Sequence, residues 1–485
     1  MTKGKRFSMG FGMFLIAMIA MSMMVSSGWA QKVPKYEFNI AELEKYKKPI
    51  DDPSPFYEKI EGYKKIMPPE VYKKTIYDVE AMKKTWAEVV GFKAPDVVGK
   101  VYPEIKPGKY TYQDKTKYPF DKMMWKHMYD RFNPPPKSGA RHVGNFTEFE
   151  IVPTRQYYPS LPVGEATKKN MGTAKLDDQG YMIEDSYVAG YPFPRPEGKF
   201  MAQQIVYNWM KNYNLDQEYY WEHCLGYTKD LRQDYEDNAT AYSIRLQGRV
   251  KWEPLGWFDD RAKDQKELKV FQYSSLAPRD LFGNVLTITS YIDPNKDDLF
   301  LMYINSLRRI RKMTASDMQD PAVGQDMIYE DWQGFQQKLS PKRYPYKFEV
   351  VGEGEFLVPI TIDGSPYMSS KDGYTIKNLQ FERRPCWIVQ MTGQDKNYIY
   401  GKRIWYVDKE ILYLHHLDNY DQKGRLYRTY TSLWGFVPEM GIYNQVQALE
   451  LDHVDTHSTM CITYSYPALW LTRGDFSMSG LVKAK

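Results

Sequence analysis

At 485 residues with a formal charge of +5, the chain is long enough for one large β-rich domain or two ordinary ones, and too weakly basic to require nucleic acid. Its lysines are scattered rather than stacked on one face, so no surface that tracks a phosphate backbone is expected. Aromatic residues make up 15% of the chain, with 41 Tyr and 12 Trp, which favours sheets and apolar grooves over helical bundles.

Lys3, Lys5 and Arg6 precede an apolar run from Met9 to Val25, followed by Ser26-Ser27-Gly28-Trp29-Ala30. That order, with small residues at Gly28 and Ala30, is the pattern of a Sec-type signal peptide cleaved before Gln31. An uncleaved membrane anchor is the other reading, for which the run is barely long enough. No cysteine lies near the cleavage point, so a lipoprotein is not expected.

From residue 31 to about 140 the chain differs from the remainder. Glu42-Leu43-Glu44-Lys45-Tyr46 starts a helix-like stretch that Pro49 ends. Glu70 to Val90 has amphipathic spacing in Val71, Ile76, Val79, Met82, Trp86, Val89 and Val90, with Gly91 as the stop. Pro103 to Pro136 reads as loop, ending in Asn133-Pro134-Pro135-Pro136. The region is expected to be an extension packed on a sheet, with a separate partner-docking module as the alternative.

Phe146 to Val152 alternates like a strand, and Met182 to Val188 leads into the loop Tyr191-Pro192-Phe193-Pro194-Arg195-Pro196. Phe200 to Asn212 reads as a helix with Ile205, Val206, Trp209 and Met210 on its apolar side. Ala239 to Trp252 sets Tyr242, Ile244, Leu246 and Gly248 against Ser243, Arg245, Gln247 and Arg249, which predicts a strand with one wet face. Strands are expected at Leu268 to Ser275, Val285 to Ile292 and Leu299 to Asn305. After Arg311 comes an acidic loop from Asp317 to Asp331, then hairpins from Lys347. Arg384 to Trp434 is a run of strand-like segments closed by Asp408-Lys409-Glu410 and Asp421-Gln422-Lys423-Gly424 turns, the signal for successive hairpins. A large curved antiparallel sheet is the expected fold.

Gly-x-Ser-x-Gly, phosphate-binding glycine loops and His-Glu-x-x-His are all absent from the sequence, so the common hydrolase, nucleotide and zinc-protease mechanisms have no motif here. No enzyme activity and no cofactor is expected. His453, Asp455 and His457 would share one face of a strand, and imidazole plus carboxylate would suit a transition metal. A wet sheet face gives the same pattern. His415 and His416 would point to opposite faces. The acidic loop Asp317, Asp320, Asp326, Glu330 and Asp331 is too loosely spaced for a calcium site. It is expected to pair with Arg308, Arg309 and Arg311, unless those arginines sit at a cavity mouth and hold an anionic head group. Trp252, Trp257 and Trp332 are core or cavity residues on the plain reading, sugar platforms on the other. Cys224, Cys386 and Cys461 allow at most one bridge, and the sequence does not choose the pair.

Tyr400-Gly401-Lys402-Arg403-Ile404-Trp405-Tyr406-Val407-Asp408 and Asn419-Tyr420-Asp421-Gln422-Lys423-Gly424-Arg425-Leu426-Tyr427-Arg428 resemble the DUF1329 family of exported bacterial proteins. Pro278-Arg279-Asp280-Leu281-Phe282-Gly283, Asp297 to Tyr303 with Leu307 to Arg311, and Val188 to Pro194 fit the same family, over roughly residues 140 to 470. The resemblance implies a half-barrel like that of the lipoprotein carriers LolA and LolB, formed by residues 141–485, with a cavity for an acyl chain, lipid or lipoprotein. It also implies a periplasmic carrier, with an inner-membrane efflux-type exporter or an outer-membrane component as partner. Tyr303, Arg308, Arg309, Arg311 and Trp332 are the expected ligand-binding residues. A secreted enzyme acting on polysaccharide or lipid, or a scaffold at the outer membrane, are the alternatives.

Overall fold

A computed structural model describes residues 33–37, 46–56, 60–134, 143–212, 215–314, 316–361 and 366–477. The expected signal peptide, and the helix-like stretch from Glu42 as far as Lys45, lie outside them.

The fold is one large mixed, mostly antiparallel sheet of 15 strands. Its strands are β1 (Gly108–Thr111), β2 (Glu148–Ile151), β3 (Gln217–Tyr227), β4 (Gln233–Arg245), β5 (Glu267–Ala277), β6 (Val285–Tyr291), β7 (Leu299–Ile304) and β8 (Arg309–Lys312), then β9 (Tyr346–Thr361), β10 (Gln380–Gly393), β11 (Lys402–Asp408), β12 (Leu414–Tyr420), β13 (Leu426–Val437), β14 (Ile442–Asp452) and β15 (His457–Pro467). Their order across the sheet is β1-β2-β10-β11-β12-β13-β14-β15-β3-β4-β5-β6-β7-β8, with β9 pairing β10 and, briefly, β13. Only the β2–β10 and β9–β13 contacts are parallel among these pairs. β15 closes the long connection by pairing back onto β3, Cys461 facing Cys224.

Side chains alternate between two cores, as a strand requires. Tyr219, Trp221, Ile244, Tyr464 and Tyr466 face a core shared with Tyr63, Met67, Phe120 and Trp125 from the N-terminal region. The other face carries Cys224, Trp405, Tyr430, Trp434 and Tyr443 against three helices. These are α1 (Val79–Val90), α2 (Leu161–Asn170) and α3 (Met201–Met210). Asp78 caps α1 by accepting from the Ala81 N–H at 2.6 Å, and Gly91 ends it at φ +91°, a left-handed turn that suits glycine. Met82, Trp86, Val89 and Val90 are its buried stripe.

Several expectations change. The single helix from Glu70 becomes Pro69–Lys73 and α1, because the chain turns at residues 74–78 to supply the Asp78 cap. The expected loop from Pro103 contains β1 and two short helices, Phe120–Met123 and Lys126–Arg131. Their Phe120, Met123 and Met128 are buried. The strand expected from Ala239 to Trp252 ends at Arg245, and Gln247 and Arg249 are buried beyond it.

The cysteine question is resolved. Cys224 and Cys461 form the bridge, and Cys386 is a free, buried thiol, pushed up by burial, in β10.

Candidate functional site

Strands β3 to β6 and β13 to β15 all turn side chains into one cavity of about 230 Å³. Neighbouring strands lie about 4.8 Å apart, so a flat sheet seven strands wide could not enclose a space that small. The sheet therefore curls around it. Trp209 and Met210 of α3 close one side, and the segment from Met318 to Lys338 lies across the opening.

That segment contains the acidic loop, and burial of its carboxylates explains its path. Asp331 accepts from Arg403 Nη1 at 2.6 Å and from the Tyr400 hydroxyl at 2.7 Å. Glu330 accepts from the hydroxyls of Tyr398 and Tyr344, at 2.5 and 2.7 Å. Burial pushes Glu330 up to about 7, against the pull of those hydroxyls. Asp326 pairs with His457 Nδ1 at 2.7 Å and accepts from the Thr459 hydroxyl at the same distance. Three acids expected to pair with Arg308, Arg309 and Arg311 instead take Arg403, Tyr398 and His457, and are the pegs that fix the segment over the sheet. Trp332, next to Asp331 in the chain, packs edge-on against Phe271 and Tyr273 at 5.2 and 5.0 Å.

His457 gives this roof a pH dependence. Hydrogen bonding to Asp326 is the largest influence and, with Asp234 at 3.0 Å, raises the imidazole to about 9. A raised folded-state pKa stabilises fully below the unfolded value near 6.5, and that stabilisation is lost as pH rises through 9. We expect His457→Gln to lower stability at pH 6 by on the order of 1 kcal/mol, allowing for partial solvent screening, and to change little at pH 9.5. Urea unfolding at the two pH values checks this, and equal losses at both would remove the imidazolium from the explanation.

Of the residues expected to bind ligand, Trp332 lines the cavity. Tyr303 is buried elsewhere, against Val285 and Ile310. Arg308, Arg309 and Arg311 lie exposed at the turn into β8 and along it, away from the cavity, with Arg308 in a left-handed conformation. Arg311 pairs with Asp317 at 3.2 Å, while Asp331 takes Arg403 instead. His453 and Asp455 sit in the turn between β14 and β15, and only His457 begins a strand. His453 Nε2 bonds Thr429 at 3.0 Å, so the three do not converge as a strand face would place them. Trp252 is buried in the core with the N-terminal region, and Trp257 packs at its edge.

Sequence reasoning missed the cavity floor. Glu222 of β3 and Glu450 of β14 line it beside Tyr273, Tyr430 and Thr463. Burial, reinforced by Asp237, pushes Glu222 up to about 7, and burial with Asp326 nearby pushes Glu450 well above its usual range. Hydrophobic–polar alternation marks Ser243 and Arg245 as solvent-facing, yet both line the cavity. The same polarity serves either purpose.

His127, His416 and Asp418 bring ligand-type atoms within 4.8 Å of one another. Burial lowers both histidines and the nearby Arg131 lowers them further, while Asp418, 2.9 Å from His416, pulls the other way. A second such group, Glu222 with Cys224 and Cys461, has its sulfurs tied in the disulfide and cannot offer thiolates.

Comparison with known proteins places these observations. Uncharacterized protein PA3922 of Pseudomonas aeruginosa is 25% identical over 281 residues, which are 55% of this chain and 57% of that relative's length. The chain thus spans little more than half of the curated relative that it matches. A crystal structure of a DUF1329 family protein from Desulfovibrio piger is 18% identical, covering 55% of this chain and 92% of that one, with a TM-score of 0.40. The LolA superfamily protein NE2245 of Nitrosomonas europaea is 11% identical, covering 57% of this chain and 98% of that one, with a TM-score of 0.37. The family described as "Protein of unknown function (DUF1329)" matches residues 141–466, from just before β2 almost to the end of β15. The chain belongs to the DUF1329 family.

Proposed function

We propose that this protein holds an apolar or amphipathic small molecule, such as a lipid or acyl chain, in the curled sheet and carries it without transforming it. The observation that carries this reading is the cavity of about 230 Å³, walled by Trp209, Phe271, Tyr273, Trp332, Tyr413 and Trp434. Burial of apolar surface supplies roughly 25 cal/mol per Å², so a chain enclosed by these rings binds by several kcal/mol with no catalytic group. The roof of 3₁₀ turns is fixed by side-chain pegs rather than by sheet pairing, a construction suited to opening. Among the described residues no helix is long and apolar enough to cross a membrane. The signal-like N-terminus supports a periplasmic site of action, where an apolar cargo needs a carrier between membranes. A membrane exporter or outer-membrane component is the matching class of partner.

Native mass spectrometry of detergent-free protein, with solvent extraction, tests the reading. A stoichiometric apolar species is the expected result. A clean apo mass, with no uptake when lipids are offered, would sink it. Trp332→Ala is expected to weaken binding of the extracted species about tenfold, roughly 1.4 kcal/mol, while leaving the midpoint of unfolding of the empty protein within a few degrees. Unchanged affinity in a fluorescence titration would show that the ligand lies elsewhere.

A further inference from the structure

The cavity is not uniformly apolar along its length. Lys269 pairs with Arg245, Phe271 with Ser243, and Tyr273 with Ala241 across β4 and β5, while Glu222 of β3 faces Ala239. From Arg245 to Ala239 is roughly 20 Å of strand at about 3.3 Å per residue. Arg245 and Lys269, at one end, are only partly buried, whereas Glu222 and Glu450, at the other, are buried. The molecule therefore has a mouth at the Arg245 end and a floor at the Glu222 end. Lys269 at the mouth is lowered to about 8 by burial, and Glu218 lies one step further in beside Ser243.

The floor is built for something polar. Glu450 is only 3% exposed, and its Oε2 has no hydrogen-bond partner in the protein. Further along the cavity, away from Glu450, the buried Tyr443 hydroxyl and Trp434 indole N–H are unpartnered too. Outside the lining but beside Glu222, Asp237 accepts from the Tyr273 hydroxyl at 2.6 Å through one oxygen and leaves Oδ1 unpartnered. Buried polar groups are ordinarily satisfied, so several orphaned tips around one cavity point to a ligand that satisfies them. Carboxyls surrounded by aromatic faces form the usual setting for an organic cation, which gains from both the charge and the ring quadrupoles.

We propose that the cavity takes an apolar molecule whose leading end is a primary amine, with the ammonium held between Glu222 and Glu450 and faced by Tyr430 and Tyr273. This inference rests on the binding function proposed above and specifies its ligand class. In the empty protein burial disfavours the charged form, so Glu450 holds its proton and Glu222, pushed up to about 7, is partly protonated near neutral pH. Arrival of an ammonium reverses that preference, so binding near neutral pH releases protons to the buffer.

The test compares dodecylamine, dodecan-1-ol and dodecanoate, equal in chain length, as competitors of a polarity-sensitive dye bound by the full mature chain. Dodecylamine is expected to compete at least tenfold better than dodecanol, and dodecanoate least well. Titration calorimetry in buffers of different ionisation enthalpy should show proton release with the amine only. Glu450→Gln and Glu222→Gln, near-isosteric and uncharged, should erase the amine preference over dodecanol, and a cooperative urea unfolding transition shows that the variants fold. If none of the three displaces the dye, the binding function itself fails and this inference with it. Competition by all three with dodecanol or dodecanoate equal to or better than the amine overturns the amine assignment alone. An amine preference unaffected by both Gln variants overturns it as well.

Discussion

Arg384→Met is expected to destabilise the protein by about 3–5 kcal/mol, the cost typical of removing one partner from a buried ion pair. Arg384 is fully buried, as are Asp408 and Glu410. Its Nε donates to Asp408 at 2.7 Å, Nη2 to Glu410 at 2.8 Å, and Nη1 to the Arg155 carbonyl at 2.8 Å. Burial opposes the charge on Asp408, but the guanidinium and His415 hold that carboxyl well below its usual range. Glu410 also accepts from the backbone N–H groups of Ala94 and Tyr157, at 2.7 and 2.9 Å. One guanidinium, with the Glu410 that it holds, thus ties β10 and β11 to segments 229 to 316 residues away in sequence, so the loss is not confined to one hairpin. Urea unfolding of the variant measures it. Adding Asp408→Asn and Glu410→Gln to Arg384→Met should recover part of the loss, since the cost lies in carboxylates left buried without a cation. A single variant within about 1 kcal/mol of the parent would show that these carboxyls are neutral in the folded state.

Removing the Cys224–Cys461 bridge as the double alanine variant is expected to cost on the order of 5 kcal/mol. The bridge spans 237 residues, and the entropy it removes from the unfolded chain grows with the logarithm of that span. It also joins β3 to β15, the pairing that brings the last strand back beside the third, and Cys461 lines the cavity next to Glu222 and Thr463. Stability should therefore fall with added reductant in the parent and be insensitive to reductant in the variant. An oxidising compartment suits such a bond. Thiol labelling of the unfolded, unreduced protein checks the pairing independently. One reactive thiol, Cys386, is expected, and three would show that the bridge does not form.

The hairpins from β10 to β13 were legible because their physics is local. Alternation, β-branched and aromatic composition, and the Asp-Gln-Lys-Gly turn at residues 421–424 act within a dozen residues of one another. Gly91 as the end of α1 was legible for the same reason. Where reading failed, the deciding partner was distant. Asp326, Glu330 and Asp331 form an acidic run that solvent would accept equally well, until His457, Tyr398 and Arg403 are brought against it. Ser243 and Arg245 alternate like a wet face, because a polar cavity wall and a solvated surface demand the same residue types. Glu222 and Glu450 carried no signal at all, since a carboxylate among many shows nothing of what surrounds it.

By itself, then, the sequence determined the mostly antiparallel sheet, its family, and the apolar stripes of α1 and α3. Period-two and period-3.6 patterns are imposed by the backbone and need no partner to be read. Tertiary structure alone decided which cysteines join, which acids are buried, and that the sheet curls until seven strands share one cavity. Those outcomes depend on burial and on pairing across hundreds of residues, and spacing along a chain does not encode either quantity.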